Sequence, residues 1–366
     1  MIDTKPQPPI ADNFAVVTPE LLLSFSKEHL KLFIDLASQF YPLTSELLEK
    51  YADRWNWDNV SANRFINWTP ELIEEFADHW NWNILSSNST LPWTEDLLVK
   101  YYDEWNPVAI SLNAKLPWTE AFIDRHTDYW VWNQLSFNAG LPWSADFIER
   151  YLGLWNFEFL SMNEHIPWTA ELLEQLEEVL QWETLSANES LPWTTELIEK
   201  YKEQIAWPAL SANGGLPWTM ELLEKYAEDI DLYFLSSNHG FLWTEQFINA
   251  NFEHWNWEAM SRNLGIPWSV QLIEQHKNDW EWGEFGLSSN YALPWSETLI
   301  ARYEKKWDYS SSHGLCSNID LPWSINLIEN YWKQWDVKQL GQNGGVWQCV
   351  FEGTVDKEMI TKLLAR

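Results

Sequence analysis

Histidine, cysteine, serine and carboxylate side chains carry most hydrolytic and metal-dependent chemistry in proteins, and this chain arranges few of them usefully. Its eight histidines are scattered, without the spacing of a metal site. Asp308, Ser310 and His313 lie close together in sequence, but a catalytic triad also needs an oriented base and an oxyanion hole. The sequence indicates neither, nor a glycine-rich phosphate loop. We therefore expect a protein that is not an enzyme, with no cofactor and no metal site.

The overall composition argues against several kinds of partner. The 366 residues carry a formal net charge of −31, which opposes direct binding to nucleic acid or to an anionic membrane surface. Charged residues interrupt every apolar stretch, so no segment is predicted to span a bilayer. Cys316 and Cys349 make neither a disulfide framework nor a Cys-x-x-Cys pair, and we find no secretory signal. We expect a cytoplasmic protein.

The helices that would position any functional residue are predicted from a sequence repeat. A Ser or Thr follows the tryptophan of a Leu-Pro-Trp-like motif, and we number each repeat from this residue as position 0. The first nine intervals are 25 residues long, and the last two are 27 and 28. A fixed period of this length is typical of repeat arrays. Repeats 1 to 12 begin at Thr44, Thr69, Thr94, Thr119, Ser144, Thr169, Thr194, Thr219, Thr244, Ser269, Ser296 and Ser324.

Each repeat predicts two helices. The hydroxyl at position 0 and an acid at position 2 suit a helix N-terminus, where free N–H groups need acceptors and the dipole favours negative charge. Apolar residues at positions 3, 4, 7 and 11 then form one stripe of a helix about three turns long. An apolar pair at positions 13 and 16 predicts a short second helix. Ser at position 17 and Asn at position 19 mark its end and predict a hydrogen-bonded ladder between repeats.

The repeat determines the predicted fold. One pair of short helices cannot bury its own apolar face, so neighbouring repeats must pack against one another. We predict an all-α fold, a superhelical solenoid of about twelve helical hairpins that forms an elongated, monomeric rod with capping helices at both ends. The 29 tryptophans are predicted to fill its core. We divide the chain into a lead-in (1–14), an N-terminal cap (15–40), the twelve-repeat array (41–345) and a C-terminal cap (346–366).

The repeated motif also resembles known sequences. "LPWTTELIEKY", followed by a tryptophan and by "LSAN", resembles the short Trp-anchored helical repeats of uncharacterised bacterial and giant-virus proteins, within the broad α-solenoid class. The resemblance covers residues 41–345, and the tetratricopeptide, ankyrin and armadillo signatures are absent. It implies an architecture and no assigned activity.

One position of the repeat departs from its periodicity. Position 18 holds Leu112, Phe137 and Met162 in repeats 3 to 5, and Phe159 lies nearby in repeat 5. If position 18 faces outward, these residues form an apolar patch suited to a partner protein. If it faces inward, they fill local gaps in the core.

Acids recur at positions 2, 5 and 9, on the helix face opposite the apolar stripe. They predict a ribbon of negative charge along the array. The ribbon either keeps a Trp-rich protein in solution or binds a basic partner. The acidic residues that we single out are Glu46, Glu49, Asp53, Glu71, Glu74, Asp78, Glu171, Glu174, Glu178, Glu221, Glu224 and Glu228.

Repeats 10 and 11 contain extra residues that are predicted to lengthen the turn after the second helix. The segments around Glu284 and Phe285, and around Ser311 and His313, are either tolerated loop insertions or a built-up rim for a partner.

These patterns predict a non-enzymatic scaffold that binds another protein, for which a basic surface would be complementary. One alternative is an acidic inhibitor or nucleic-acid mimic that neutralises a basic toxin, nuclease or DNA-binding protein. Another is the binding of a small ligand or glycan through exposed tryptophans.

Overall fold

The computed structural model describes residues 17–365, so the predicted lead-in at 1–14 lies outside the described residues. Within 17–365 the chain forms 26 α-helices, three 3-10 helices, one π-helical segment and no strand, as the all-α prediction requires. The longest of these helices, Leu30–Phe40, has 11 residues. A membrane-spanning helix needs about 20 apolar residues, and no described helix is long and apolar enough to cross a membrane.

The residue at position 0 begins the first helix of every repeat. Its side-chain oxygen accepts a hydrogen bond from the backbone N–H three residues later, as Thr44 does from Leu47. These helices are shorter than the three turns predicted, because the chain continues after position 6 as turns. The twelve helices are Ser45–Lys50, Pro70–Glu75, Glu95–Lys100, Glu120–Arg125, Ala145–Arg150, Ala170–Leu176, Thr195–Lys200, Met220–Lys225, Glu245–Ala250, Val270–Gln275, Glu297–Arg302 and Ile325–Asn330.

A second short helix follows in each repeat, as predicted. In repeats 10 and 11 the extra residues precede this helix and do not follow it, so their predicted placement is wrong. A 3-10 helix takes its place, at Leu287–Ser289 and Leu315–Ser317. A further 3-10 helix in repeat 9 spans Phe252–His254. The other second helices are Trp57–Ala62, Trp82–Leu85, Pro107–Leu112, Trp132–Leu135, Phe157–Met162, Trp182–Leu185, Trp207–Ala212, Leu232–Leu235, Trp257–Arg262 and Val337–Leu340.

Positions 17 and 19 join each repeat to its neighbour, which confirms the predicted ladder. The Ser61 hydroxyl donates to the Trp57 carbonyl at 2.7 Å and accepts the N–H of Asn81 in the next repeat at 3.0 Å. The Asn88 side-chain amide donates back to the carbonyls of Ser61 and Asn63, at 3.0 and 3.1 Å. Equivalent bonds recur along the chain. The buried carbonyls of one repeat therefore find their donors in the next.

Tryptophan fills much of the interior. All 29 tryptophans lie within the described residues and none is exposed. In repeat 4, the Trp130 indole N–H donates to the Ile123 carbonyl at 3.0 Å, and its ring meets Trp118 with 5.0 Å between centroids. Tryptophans at position 13, such as Trp82 and Trp132, are mostly half-buried. The core prediction is right for the tryptophans at position 11 and for most of those before position 0, where Trp143, Trp268 and Trp295 are half-buried, and it is only partly right at position 13.

The two caps contain five further elements. The N-terminal cap has two α-helices, and the C-terminal cap has a short α-helix, a π-helical segment and a last α-helix. Their bounds are Pro19–Glu28, Leu30–Phe40, Gly344–Val346, Trp347–Phe351 and Lys357–Leu364.

The two ends of the chain contact each other. Leu30–Phe40 packs against Trp57–Ala62 of repeat 1 and against Val337–Leu340 of repeat 12. Pro19–Glu28 packs against Lys357–Leu364. The sequence left open whether the two ends of the predicted rod meet, and here the caps bury outer faces against each other instead of leaving them to solvent. We call the contacts of the N-terminal cap with repeat 12 and with the C-terminal cap the seam.

Candidate interaction surfaces

The predicted patch at position 18 faces outward. Leu112, Phe137 and Met162 are 40%, 45% and 41% exposed, although apolar side chains of this size are usually buried. Leu112 and Met162 are the last residues of their second helices, and Phe137 lies two residues beyond the end of Trp132–Leu135. We call these three residues the apolar cluster. Phe159, at position 15 of repeat 5, is only half-buried.

Repeats 3 to 5 carry a second apolar surface, which we did not predict from the sequence. Position 8 of one repeat meets position 10 of the next, and in repeats 7 and 8 these positions hold an ion pair, Lys202–Asp229 at 2.8 Å. In repeats 3 and 4 they hold Tyr102 and Tyr129, whose ring centroids are 4.2 Å apart. Burial, with the neighbouring Tyr102, raises the pKa of Tyr129 to about 12.

Repeat 5 continues this surface with Leu152 and Leu154 at positions 8 and 10, which are 41% and 44% exposed. Comparing each position across the twelve repeats would have indicated it, since several other repeats carry charged residues there, such as Lys202 and Asp229.

The acidic ribbon lies on the surface, and all twelve of its residues are exposed. Glu46 pairs with Lys357 of the C-terminal cap at 2.5 Å. Glu74 and Glu174 pair with a lysine at position 6 of the next repeat, at 3.0 and 3.2 Å. Among the described residues, the other nine ribbon acids form no ion pair. The ribbon is therefore interrupted by bases that link neighbouring repeats, and it stays predominantly negative.

The predicted rim residues of repeats 10 and 11 come together in part. The rings of Phe285 and His313 are 4.9 Å apart, and His313 Nδ1 lies 3.4 Å from a Glu284 carboxylate oxygen. Beside them, Ser312, His313 and Ile319 help to line a cavity of about 260 Å³.

The fourth rim residue, Ser311, is held differently, because its backbone N–H donates to the Asp308 carboxylate. The same carboxylate oxygen accepts the N–H of Ser310. Asp308 thus closes its own turn, while the nearest carboxylate to His313 belongs to Glu284. The structure does not assemble Asp308, Ser310 and His313 into a triad.

A group of ionisable side chains that the sequence did not indicate lies at the seam. The donor atoms of Glu28, His29 and Glu329 lie within 4.8 Å of one another. His29 Nε2 is 3.0 Å from a Glu329 carboxylate oxygen, and the imidazole lies against the Trp332 ring with 3.8 Å between centroids. No local motif could have revealed this group, because 300 residues separate His29 from Glu329.

Comparisons with protein-family models, with curated proteins and with solved structures find no match to this chain. This is consistent with a resemblance to uncharacterised repeat proteins that have no named family.

Proposed function

We propose that this chain is a non-enzymatic scaffold that binds another protein through repeats 3 to 5. In the architecture that we infer, twelve helical hairpins stack in sequence and the two caps join them into a closed solenoid. The apolar cluster and the Tyr102–Tyr129 surface provide the anchoring contacts, and the exposed ribbon acids of repeats 1, 2, 6 and 8 favour a partner with basic residues.

The exposure of the apolar cluster is the observation that carries this proposal. Position 18 holds alanine, serine or arginine in repeats 1, 2 and 6 to 9, and large apolar residues only in repeats 3 to 5. Three large exposed side chains in consecutive repeats are not needed for packing. Apolar residues of this kind supply most of the free energy of binding in protein interfaces.

The charge of the chain indicates the chemistry of the partner. With a net charge of −31 and nine ribbon acids without an ion pair, the surface repels acidic proteins and attracts basic ones. Such charges act mainly on the association rate and on the choice of partner, whereas apolar anchors limit dissociation. The proposed partner therefore combines basic residues with an apolar segment.

A triple substitution tests the apolar cluster. We expect Leu112→Ser, Phe137→Ser and Met162→Ser together to abolish capture of the partner from an extract of the native host, at both low and moderate salt. The matched control substitutes Ala62, Ala187 and Ala212 by serine at the same position of other repeats, and should retain the partner.

The same variants test where the cluster lies. Because its residues are exposed, the denaturation midpoint of the triple variant should stay close to that of the control. A large fall in the midpoint would place the three residues in the core and contradict the proposal, as would equal capture by the two variants.

A second candidate is an acidic protein that mimics nucleic acid, which the exposed, largely unpaired ribbon favours. It predicts binding to a basic DNA-binding protein with an affinity that falls steeply as salt increases. Substituting Glu171, Glu178 and Glu221 by glutamine should then weaken binding, and the apolar-cluster variant should bind normally. The glycan alternative requires exposed tryptophans, and none of the 29 is exposed.

A further inference from the structure

The group at the seam has an unusual charge balance. Glu28 comes from the N-terminal cap and Glu329 from repeat 12, so closure brings two carboxylates to one imidazole. Among the described residues, neither carboxylate forms an ion pair with a lysine or arginine, although many other acids of this chain do. Two carboxylates that approach each other without a cation repel, and a divalent cation between them would remove that repulsion.

The distances suit a small metal ion. Zinc binds imidazole nitrogen and carboxylate oxygen at about 2.0–2.2 Å, so two of its ligand atoms lie roughly 3.0–3.5 Å apart. His29 Nε2 and the Glu329 oxygen already have this separation, at 3.0 Å. The Glu28 oxygen lies within 4.8 Å of both, and the exposed Glu28 side chain can move the remaining distance.

The surroundings hold the imidazole in place. His29 is 8% exposed, and its ring lies between Trp332 and Phe25, with centroids 3.8 and 4.7 Å away. A buried histidine with a fixed orientation loses little conformational freedom when it binds a metal. Within residues 17–365, other histidine–carboxylate pairs, such as His126–Glu95, do not belong to a group of three donors.

We propose that Glu28, His29 and Glu329 bind one divalent transition-metal ion, of the zinc class, that fastens the two ends of the chain together. The ion takes the place of the hydrogen bond between His29 Nε2 and the Glu329 carboxylate, and the imidazole keeps its proton on Nδ1. One imidazole and two carboxylates leave a fourth ligand position for water. Because the three ligands meet only when the ends meet, the metal binds the closed form and stabilises it.

Titration of the full-length, metal-free protein with ZnCl₂ tests the proposal. We expect one equivalent to bind in calorimetry at 150 mM salt. We expect the unfolding temperature to rise by about 3 °C when zinc reaches 100 times its dissociation constant. With Co²⁺ as the probe, the bound ion should give a visible absorption band that follows the same stoichiometry.

Single substitutions separate this site from the acidic surface. Glu28→Gln, His29→Gln and Glu329→Gln should each weaken zinc binding at least about 10-fold, the effect expected for losing a metal ligand. His126→Gln is the matched control and should bind zinc like the wild type. Glu28 is exposed, so Glu28→Gln should fold normally even if His29→Gln disturbs the seam.

Two results would overturn the proposal. One is an absence of stoichiometric zinc binding by the wild type. The other is binding that the three substitutions leave unchanged and that salt abolishes, because this would show that zinc associates only with the acidic surface. Neither result bears on partner capture by repeats 3 to 5, so the two proposals can fail independently.

Discussion

At the scale of single residues, the serine at position 17 and the asparagine at position 19 form hydrogen bonds between repeats that no apolar residue could form. In most repeats the serine hydroxyl donates within its own repeat and accepts from the next, and the asparagine amide donates to the preceding repeat. Both side chains are buried, so their loss leaves backbone groups without partners. This explains why a chain with so many aromatic residues keeps polar ones in its interior.

The ladder predicts a large effect for one amide. Asn188 donates to the carbonyls of Ser161 and Asn163 and accepts the N–H of Ser190. Asn188→Ala should therefore lower the free energy of unfolding by about 1–3 kcal/mol, the cost of unpaired buried polar groups, measured by urea denaturation. The control is Asn133→Ala, which removes an exposed amide and should change it by less than about 0.5 kcal/mol. Equal effects would mean that the ladder does not stabilise the fold.

One carboxylate should titrate far from its ordinary range. Hydrogen bonds from Arg125 and His126 lower the pKa of Glu95 to about 2. Because the folded-state pKa is depressed, the stabilisation is complete above the ordinary value of 4.5 and disappears as the pH falls through about 2. In an NMR titration, Arg125→Gln should return the Glu95 pKa towards its ordinary value. Arg150→Gln, whose guanidinium pairs with Glu120 and Asp124, should leave it unchanged.

At the scale of helices, the sequence predicts what depends on local chemistry. The hydroxyl at position 0 is enough to place the start of every first helix, and the stripe of apolar residues identifies its buried face. The ends of the helices were less predictable. Tyr51 and its equivalents continue the apolar stripe in sequence, yet they lie just beyond the helix because the chain turns there towards the second helix. Periodicity alone does not distinguish a third helical turn from a series of turns.

Repeat 12 differs from the other repeats at the position that contacts the N-terminal cap. Gly341 occupies position 17, where repeats 1 to 9 have serine. A Cβ atom on Gly341 would lie 2.7 Å from the Cβ atom of Asp35 in the N-terminal cap. Glycine is needed here because the neighbour is a cap helix and not another repeat.

This contact predicts that serine, the residue found at position 17 in repeats 1 to 9, would disturb the seam if it replaced Gly341. Gly341→Ser should push Asp35 away and increase amide hydrogen exchange in Pro19–Glu28 and Lys357–Leu364, with little change in repeats 5 to 8. The control is Cys316→Ser, which introduces the same serine at the corresponding place of repeat 11, where the structure already has a side chain of similar size. Unchanged exchange in both cap helices would contradict this account of Gly341.

At the scale of the whole molecule, closure is the feature that the sequence did not indicate. Neighbour contacts are encoded in each repeat, but closure depends on the small rotation between repeats, added over the whole array. Twelve repeats and the N-terminal cap would need roughly 28° per unit to complete one turn. A change of a few degrees per unit would leave the ends apart, and no single residue specifies that angle.

Closure also limited what could be predicted about the candidate sites. The apolar cluster was visible in the sequence because its members are 25 residues apart, at one position of consecutive repeats. Glu28, His29 and Glu329 share no such relationship, since only the seam brings them together. Sites built within the repeat can be found by comparing repeats, whereas sites built by the ends require the structure.

Small-angle X-ray scattering distinguishes the closed molecule from a rod. A compact chain of 366 residues has a radius of gyration of about 21 Å, and a closed array should fall at about 21–25 Å. An open rod of twelve hairpins spaced about 9 Å apart would have a radius of gyration above roughly 30 Å.

Phe351 is fully buried and meets Phe25 and Phe33 of the N-terminal cap. Phe351→Asp should therefore break the seam and increase the radius of gyration towards the value for a rod. Its circular dichroism should still report folded helices, because the ladder between repeats does not involve the seam. A wild-type radius near 30 Å would show that the ends are separate in solution, and the metal site proposed there would then have no basis.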